Sequence, residues 1–579
     1  MATEKRIFLT LAVLFFLLMH WSGWNETSHF VLTRAIVEEG RIKTTSFAQE
    51  TGDRIRIGND YYSDKNPGLS FLAVPIHFFS VLVFSTERPP ENKNILIDGY
   101  YFLQFFPAEY LSENKDIMLV DERYGVVPIV MPFFVIPTHL SPAECFSMIV
   151  STFFLSGLLT VATAYLLFLL SKEFVTDKRI QYLVPIGYAL GTLAFSQALV
   201  FQRHAAATFF CFAAFFVGYY TIKKGYFSVR RGGFLAGILM GIAFLLDPFA
   251  IFVVMGIGFW LLLSHSPKTF FWYGVAFVAV VALLLAYNFV AFGNSFSISY
   301  SGYSGAYIAY SHNQEVETGF SLKELIFRQF YPPFFKLHIM TIIRLLVMPE
   351  RGILFYFPFL FLVIPGIFFL ARQRPALTAM VLIIFFSFLW VISTPYGPWW
   401  GNASFGPRHL TFTMPFLMIP IMFAMKRWHI SISLFLITVS IFINVLGLQL
   451  PSFDLDKKFA RMDIEEYNAV MTSLTIIENP LVDYYWLKFR EHGINMPLIN
   501  SALVGRPFDI RSNMPLDEQK PLITSTPFGS LFISRSMLPF LVITLVLSFI
   551  WFGCLKKTLW RCPLIVTLII LVIFSFHLK

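Results

Sequence analysis

Residues 25–68 read NETSHFVLTRAIVEEGRIKTTSFAQETGDRIRIGNDYYSDKNPG. They form a charge-dense stretch between two hydrophobic runs, one over about 7–24 and one opening at Leu69. Glu26 falls at the mouth of the first run and Lys65 at the mouth of the second. Two runs adjacent in the chain and crossing a bilayer place both groups on the same membrane surface. The stretch therefore reads as a site-bearing loop lying on the membrane.

The composition agrees. Of 579 residues 56% are hydrophobic and 14% charged, where soluble domains carry roughly 25% charged residues. Mean hydropathy is +0.66. Apolar runs long enough for a hydrocarbon core of roughly 30 Å recur along the chain, so the class is an all-α polytopic membrane protein. The net charge of +9 reads as basic cytoplasmic loops and not as a nucleic-acid surface. Cys145, Cys211, Cys554 and Cys562 have neither metal-ligand nor disulfide-framework spacing. The first run lacks a small-residue cleavage site and is kept as a span.

Further spans are expected at 144–170, 182–202, 206–222, 233–246, 249–264, 269–291, 352–371, 375–393, 409–425, 428–448, 534–554 and 559–577. Basic clusters such as Lys172/Lys178/Arg179, Lys223/Lys224/Arg230/Arg231, Arg372/Arg374 and Lys426/Arg427 occupy alternate loops, as cytoplasmic loops do. The long polar segments then share the extracytoplasmic face. With 69–85 as a second span, parity asks for an extra crossing before residue 142, and the Pro-rich run 126–137 is its candidate. Re-entry of 69–85 without crossing is the alternative. The total comes to about 13–15 transmembrane helices. They divide as a catalytic module over 1–448, an extracytoplasmic segment over 449–533 and a C-terminal hairpin over 534–579.

Within 25–68, Thr27 or Ser28 suits an N-cap and Gly40 a C′ position, predicting a helix in the membrane plane. Glu26 then sits just ahead of a helix N-terminus, where the dipole favours its anion, the form a general base needs. A capping carboxylate reads the same way, and Asp53, Asp60 and Asp64 compete with Glu26 for the role. Lys65 precedes Pro67 at the start of the next span. A cation beside free helix amides makes an anion site, at this depth for a lipid phosphate, and Asp64 tunes it. Arg203 and His204 interrupt an apolar hairpin, Asp247-Pro248 breaks another, and Arg351 and Arg408 open later spans on the same face. Charge at membrane depth costs at least ~2.5–3.5 kcal/mol, and together these cations compose a phosphate pocket. Asp64, Tyr62, Trp399 and Trp400 are candidate substrate contacts, although interfacial belts hold such aromatics by default. Asp454-Leu455-Asp456 reads as an ordinary loop.

At these residues the chain resembles the GT-C superfamily of membrane glycosyltransferases. It is most similar to the branch of protein O-mannosyltransferases and lipid A aminoarabinose transferases. The resemblance spans roughly 1–450. It rests on the carboxylate after the first span, a first loop with in-plane helices, and Tyr-Tyr-Ser-Asp-Lys-Asn-Pro-Gly at 61–68. Glu-Arg-Gly-Ile-Leu-Phe-Tyr-Phe-Pro at 350–358 and Ser-Phe-Gly-Pro-Arg-His-Leu at 404–410 add to it. It implies that Glu26 deprotonates the acceptor and Lys65 holds the donor phosphate. It also implies a polyprenyl-phosphate sugar as co-substrate, with no metal and no other cofactor. Asn66 stands where that branch usually has proline, and the resemblance does not extend beyond about 449.

Two functions fit these residues best, with a non-catalytic assembly partner of envelope polymer synthesis behind them. One is an inverting glycosyltransferase of the cytoplasmic membrane, working on its outer face on a protein, lipid or glycan acceptor, with Arg203, His204, Arg351 or Arg408 beside Lys65. The other is a transporter or flippase for a lipid-linked or anionic substrate. Transporters show repeats and polar groups at mid-membrane, whereas here polar groups gather at one interface.

Overall fold

The computed structural model describes residues 2–19, 24–51, 53–88, 94–97, 118–121, 125–128, 134–137, 140–264, 266–296, 332–393, 399–401, 404–448 and 464–492. The expected hairpin at 534–579, the Asp454/Asp456 pair and residues 395–398 of the aromatic loop lie outside them. The chain is an all-α polytopic membrane protein. Among the described residues six helices are long and apolar enough to cross a membrane, and four more apolar helices are shorter.

The first helices run α1 (Ala2–Leu18), α2 (Trp24–Glu39), a hairpin of β1 (Arg54–Ile57) and β2 (Asp60–Ser63), and α3 (Gly68–Val83). Short strands β3 (Asn94–Ile97), β4 (Met118–Asp121), β5 (Gly125–Pro128) and β6 (Phe134–Pro137) follow, pairing β3 with β6 and β4 with β5. Then come α4 (Pro142–Thr152) and α5 (Leu159–Phe174), continuous through a π-helical turn at Phe153–Leu158. The bundle continues with α6 (Lys178–Gly191), α7 (Leu193–Ala198), α8 (Arg203–Lys224), α9 (Val229–Leu246), α10 (Ile251–Leu263) and α11 (Pro267–Phe292). After these stand α12 (Pro332–Val347), α13 (Ile353–Tyr356), α14 (Val363–Gln373), α15 (Pro375–Ile392), α16 (Met414–Met425) and α17 (Ile430–Leu446).

Contacts sort the helix ends into two faces. On one, Lys172 Nζ reaches Glu4 at 3.4 Å, Lys224 Nζ reaches Glu173 at 2.7 Å, and Arg230 lies over the Trp272 ring. These are the basic loops. The opposite face carries α2, α3 and the residues flanking Arg203, Asp247 and Arg408.

This arrangement corrects the expected second span. Helices α2 and α3 run side by side in the same direction: Ser70 Oγ donates to the His29 carbonyl at 2.8 Å, and His77 Nε2 meets Glu38 at 2.8 Å. The start of α3 packs on the end of α9, where a Cβ at Gly68 would stand 2.6 Å from the Leu245 carbonyl. Its far end meets the start of α4, with Ala143 N donating to the Ser85 carbonyl at 3.1 Å. The helix Pro142–Phe174 has 33 residues, about 50 Å of rise against a hydrocarbon core of roughly 30 Å. Its α5 end lies on the basic face, so α4, past the π turn, lies at the opposite membrane surface. Both ends of α3 are therefore on one face, as in the re-entry alternative. The run 126–137 holds strands in its described parts and not a crossing helix, and parity no longer requires one.

An ion network holds this roof together. Arg34 on α2 reaches Glu38 at 3.0 Å, Glu50 at 3.1 Å and Glu144 at 2.9 Å. Arg88 reaches Glu50 at 2.9 Å and Glu144 at 2.7 Å. Ser141 caps α4 in a capping box with Glu144, which ties the network to the long helix. Burial pulls against the Glu38 carboxyl, but His77 and Arg34 outweigh it and bring it down to about 2. Lower in the bundle, Gly233, Gly237 and Gly241 let α9 lie against α11, where a Cβ would meet Thr269, Tyr273 and Val280.

On the same face the segment 464–492 packs down. Arg344 on α12 pairs with Glu350 at 2.6 Å, and its Nη2 donates to the carbonyls of Val470, Ser473 and Thr475.

Candidate functional site

Helix α2 begins at Trp24, so Glu26 sits inside its first turn and neither Thr27 nor Ser28 is the cap. Ser28 Oγ donates instead to the Asp53 carbonyl at 2.6 Å and lies 2.8 Å from Ser63 Oγ. Gly40 closes the helix with φ 64°, as its position predicts. Glu26 is only 1% exposed, and Gln202 Nε2 donates to its Oε1 at 2.6 Å. Gln202 is the residue before α8, so the first loop's carboxylate is gripped by the start of a distant helix.

The next two residues of that junction are charged or titratable. Arg203 Nε donates to Asp247 Oδ2 at 2.7 Å, and His204 Nδ1 stands 3.3 Å from the same oxygen. The rings of His204 and His409 meet edge to face at 5.7 Å, bringing α8 against the turn that opens at Arg408. Arg408 is 9% exposed; its Nε has no hydrogen-bond partner, and no carboxylate pairs with it among the described residues.

Lys65 is buried and already engaged: Nζ lies 2.8 Å from Asp64 and 2.9 Å from Asp53. Burial raises the Asp64 carboxyl, with Asp53 adding to the rise and Lys65 opposing it. Asp60 pairs with Lys43 at 2.6 Å in an exposed position, away from this cluster. Tyr62 packs on Phe292, ring centroids 5.9 Å apart, and burial raises its phenol. Arg351 Nε donates to the Trp400 carbonyl at 2.8 Å. That bond sets the Trp399–Trp400 turn beside Arg408: a Cβ at Gly401 would stand 3.2 Å from Arg408 Cγ.

The structure thus gathers Glu26, Lys65, Arg203, His204, Asp247 and Arg408 at one end of the bundle, and links Arg351 and the tryptophans to the Arg408 side. Two further residues enter that carry no signal in the sequence alone. Gln202 is one. The other is His29, fully buried one turn along α2 from Glu26, with no hydrogen-bond partner on either ring nitrogen among the described residues.

No family model matches the chain. No curated protein matches it in sequence. Among solved structures it is similar to the crystal structure of ArnT from Cupriavidus metallidurans bound to undecaprenyl phosphate. There the TM-score is 0.39 and the identity 12%, covering 86% of this chain and 79% of that one. It is also similar to the archaeal oligosaccharyltransferase AglB from Archaeoglobus fulgidus in complex with an inhibitory peptide and a dolichol-phosphate. That match has a TM-score of 0.37 and 11% identity, covering 93% of this chain and 68% of that one. Both TM-scores lie below 0.5, so the functional reading rests on this chain's own residues.

Proposed function

We propose that the chain is a glycosyltransferase that moves a sugar from a polyprenyl-phosphate donor to an acceptor hydroxyl outside the cytoplasmic membrane. The reaction is a single inverting displacement that uses no metal. The first loop's resemblance to GT-C enzymes supports the class. The observation that carries the reading is Arg408: a buried guanidinium with no counter-charge among the described residues, at the bundle end that holds a buried, oriented carboxylate. A buried cation without a partner is costly, and an arriving phosphate removes that cost.

In this reading Glu26, aimed by Gln202, takes the proton of the acceptor hydroxyl as its oxygen attacks the anomeric carbon. The leaving phosphate gathers charge against Arg408. The first turn of α8, which no side chain caps among the described residues, adds its free amides. Arg203 and His204, paired to Asp247, position that helix start. Lys65, shared between Asp53 and Asp64, braces the first loop and meets the phosphate only when one of those carboxyls is protonated or displaced.

The test is thermal stabilisation by undecaprenyl phosphate of wild type, Glu26→Gln and Arg408→Ala. Wild type and Glu26→Gln are expected to respond alike and Arg408→Ala not to respond. If no variant responds, the lipid-phosphate donor is wrong and a transporter of another anion takes its place.

A further inference from the structure

His29 is buried with both ring nitrogens unpartnered among the described residues, a state that an imidazole reaches at a free-energy cost. Its place is held from the backbone, since the His29 carbonyl accepts from Ser70 Oγ at 2.8 Å and Thr33 Oγ1 at 3.1 Å. Spaced i, i+3, it shares one face of α2 with Glu26, so the two side chains are neighbours. Its ring meets Phe201 edge to face at 6.3 Å, on the segment whose next residue grips Glu26. Besides Glu26, the charged and titratable groups that act on it among the described residues are Lys65 ahead of α3, Arg203 and His204 opening α8, and Asp247 closing α9.

A base as buried as Glu26 has to pass on the proton it takes before it can act again. We propose that His29 carries that proton from Glu26 to the departing phosphate. This rests on the donor reading above. In the displacement the acceptor O–H bond breaks and an O–C bond forms at the anomeric carbon. The C–O bond to phosphate breaks, and its electron pair leaves with the phosphate. The proton goes to the Glu26 carboxylate and from there to one ring nitrogen. The other ring nitrogen releases its own proton to a phosphate oxygen. What remains is a carboxylate, a neutral imidazole and a polyprenyl hydrogen phosphate, so no outside reagent is needed. Burial, with Arg203, Lys65 and His204 beside it, outweighs Asp247 and holds the imidazole well below its ordinary value. The ring therefore rests neutral and carries a proton only in passing.

The test joins initial rates of sugar transfer, in H2O and in D2O, with calorimetric titration by undecaprenyl phosphate. His29→Gln is expected to bind the lipid within about tenfold of wild type. It is expected to transfer sugar on the order of a hundredfold more slowly, with a larger solvent isotope effect and partial rescue by added imidazole. His29→Asn is measured beside it, with lipid-free melting temperatures, so that a folding defect in one variant does not decide the matter. Rates and isotope effects equal to wild type in both variants overturn the relay while leaving the donor reading intact. Failure of wild type to bind the lipid overturns the donor reading, and the relay falls with it.

Discussion

At the scale of the residue, the grip of Gln202 on Glu26 makes a prediction independent of the donor's identity. Glu26→Gln removes the base and is expected to lower turnover on the order of a hundredfold or more, with lipid binding kept. Gln202→Ala leaves the carboxylate in place but unaimed, so turnover falls by about tenfold and KM stays near wild type. Initial rates of sugar transfer check both, and a Gln202→Ala enzyme as fast as wild type would remove Gln202 from the mechanism. Glu26, Lys65, Arg203, His204 and Arg408 were legible in the sequence because charge at the edge of an apolar run stands out. Gln202 and His29 were not. A neutral amide and a lone histidine carry no local signal, and the partners Gln202 and Glu26 are 176 positions apart. Nor could spacing reveal that Lys65 is shared by two carboxylates and Arg408, among the described residues, by none, since that depends on which side chains the fold brings together.

Among the elements, α3 shows why an apolar helix need not be a span. Its sixteen residues rise about 24 Å, short of a core of roughly 30 Å. It buries Gly68, Leu69, Ser70, Ala73, His77 and Ser80 along one side and exposes Phe78, Phe79, Leu82 and Val83 on the other. Hydropathy counts both sides as membrane. The buried His77 was the sign against it. Two predictions belong here. Gly68→Ala drives a Cβ into the α9 backbone and is expected to destabilise by about 2 kcal/mol, read as a lower midpoint in thermal or denaturant unfolding. Acid is expected to loosen the roof over α2 and α3. The Glu38 carboxyl is lowered from 4.5 to about 2, so its contribution is full above pH 4.5 and is lost as pH falls toward 2. Glu38→Gln, already uncharged, should show a flatter melting-temperature profile across that window. An unchanged slope would mean that the network adds nothing.

For the whole molecule, the topology itself is open to measurement. Single cysteines at Ser85 and Asn59 should both react with an impermeant thiol reagent from the face opposite Thr176, in a background with the native cysteines replaced. Labelling of Ser85→Cys from the Thr176 side would restore the second span. The general plan, a polytopic bundle with its polar loops on one face, was readable from the alternation of basic clusters. The parity of the first loop was not, because a helix that only touches the membrane has the composition of one that crosses it. The π-helical turn at Phe153–Leu158 gives this plan one more property. It sets the phase between two stretches of a single helix. Below it α5 keeps its angle to α1, and above it α4 turns Glu144 toward Arg34 and Arg88. One residue of α-helix is about 100° of rotation. Removing a residue from that turn would leave each stretch helical and yet swing the upper one round like a misaligned crankshaft, so that the carboxylate faces away from both arginines. The chain can thus tolerate changes of composition along this helix far more readily than a change in its count.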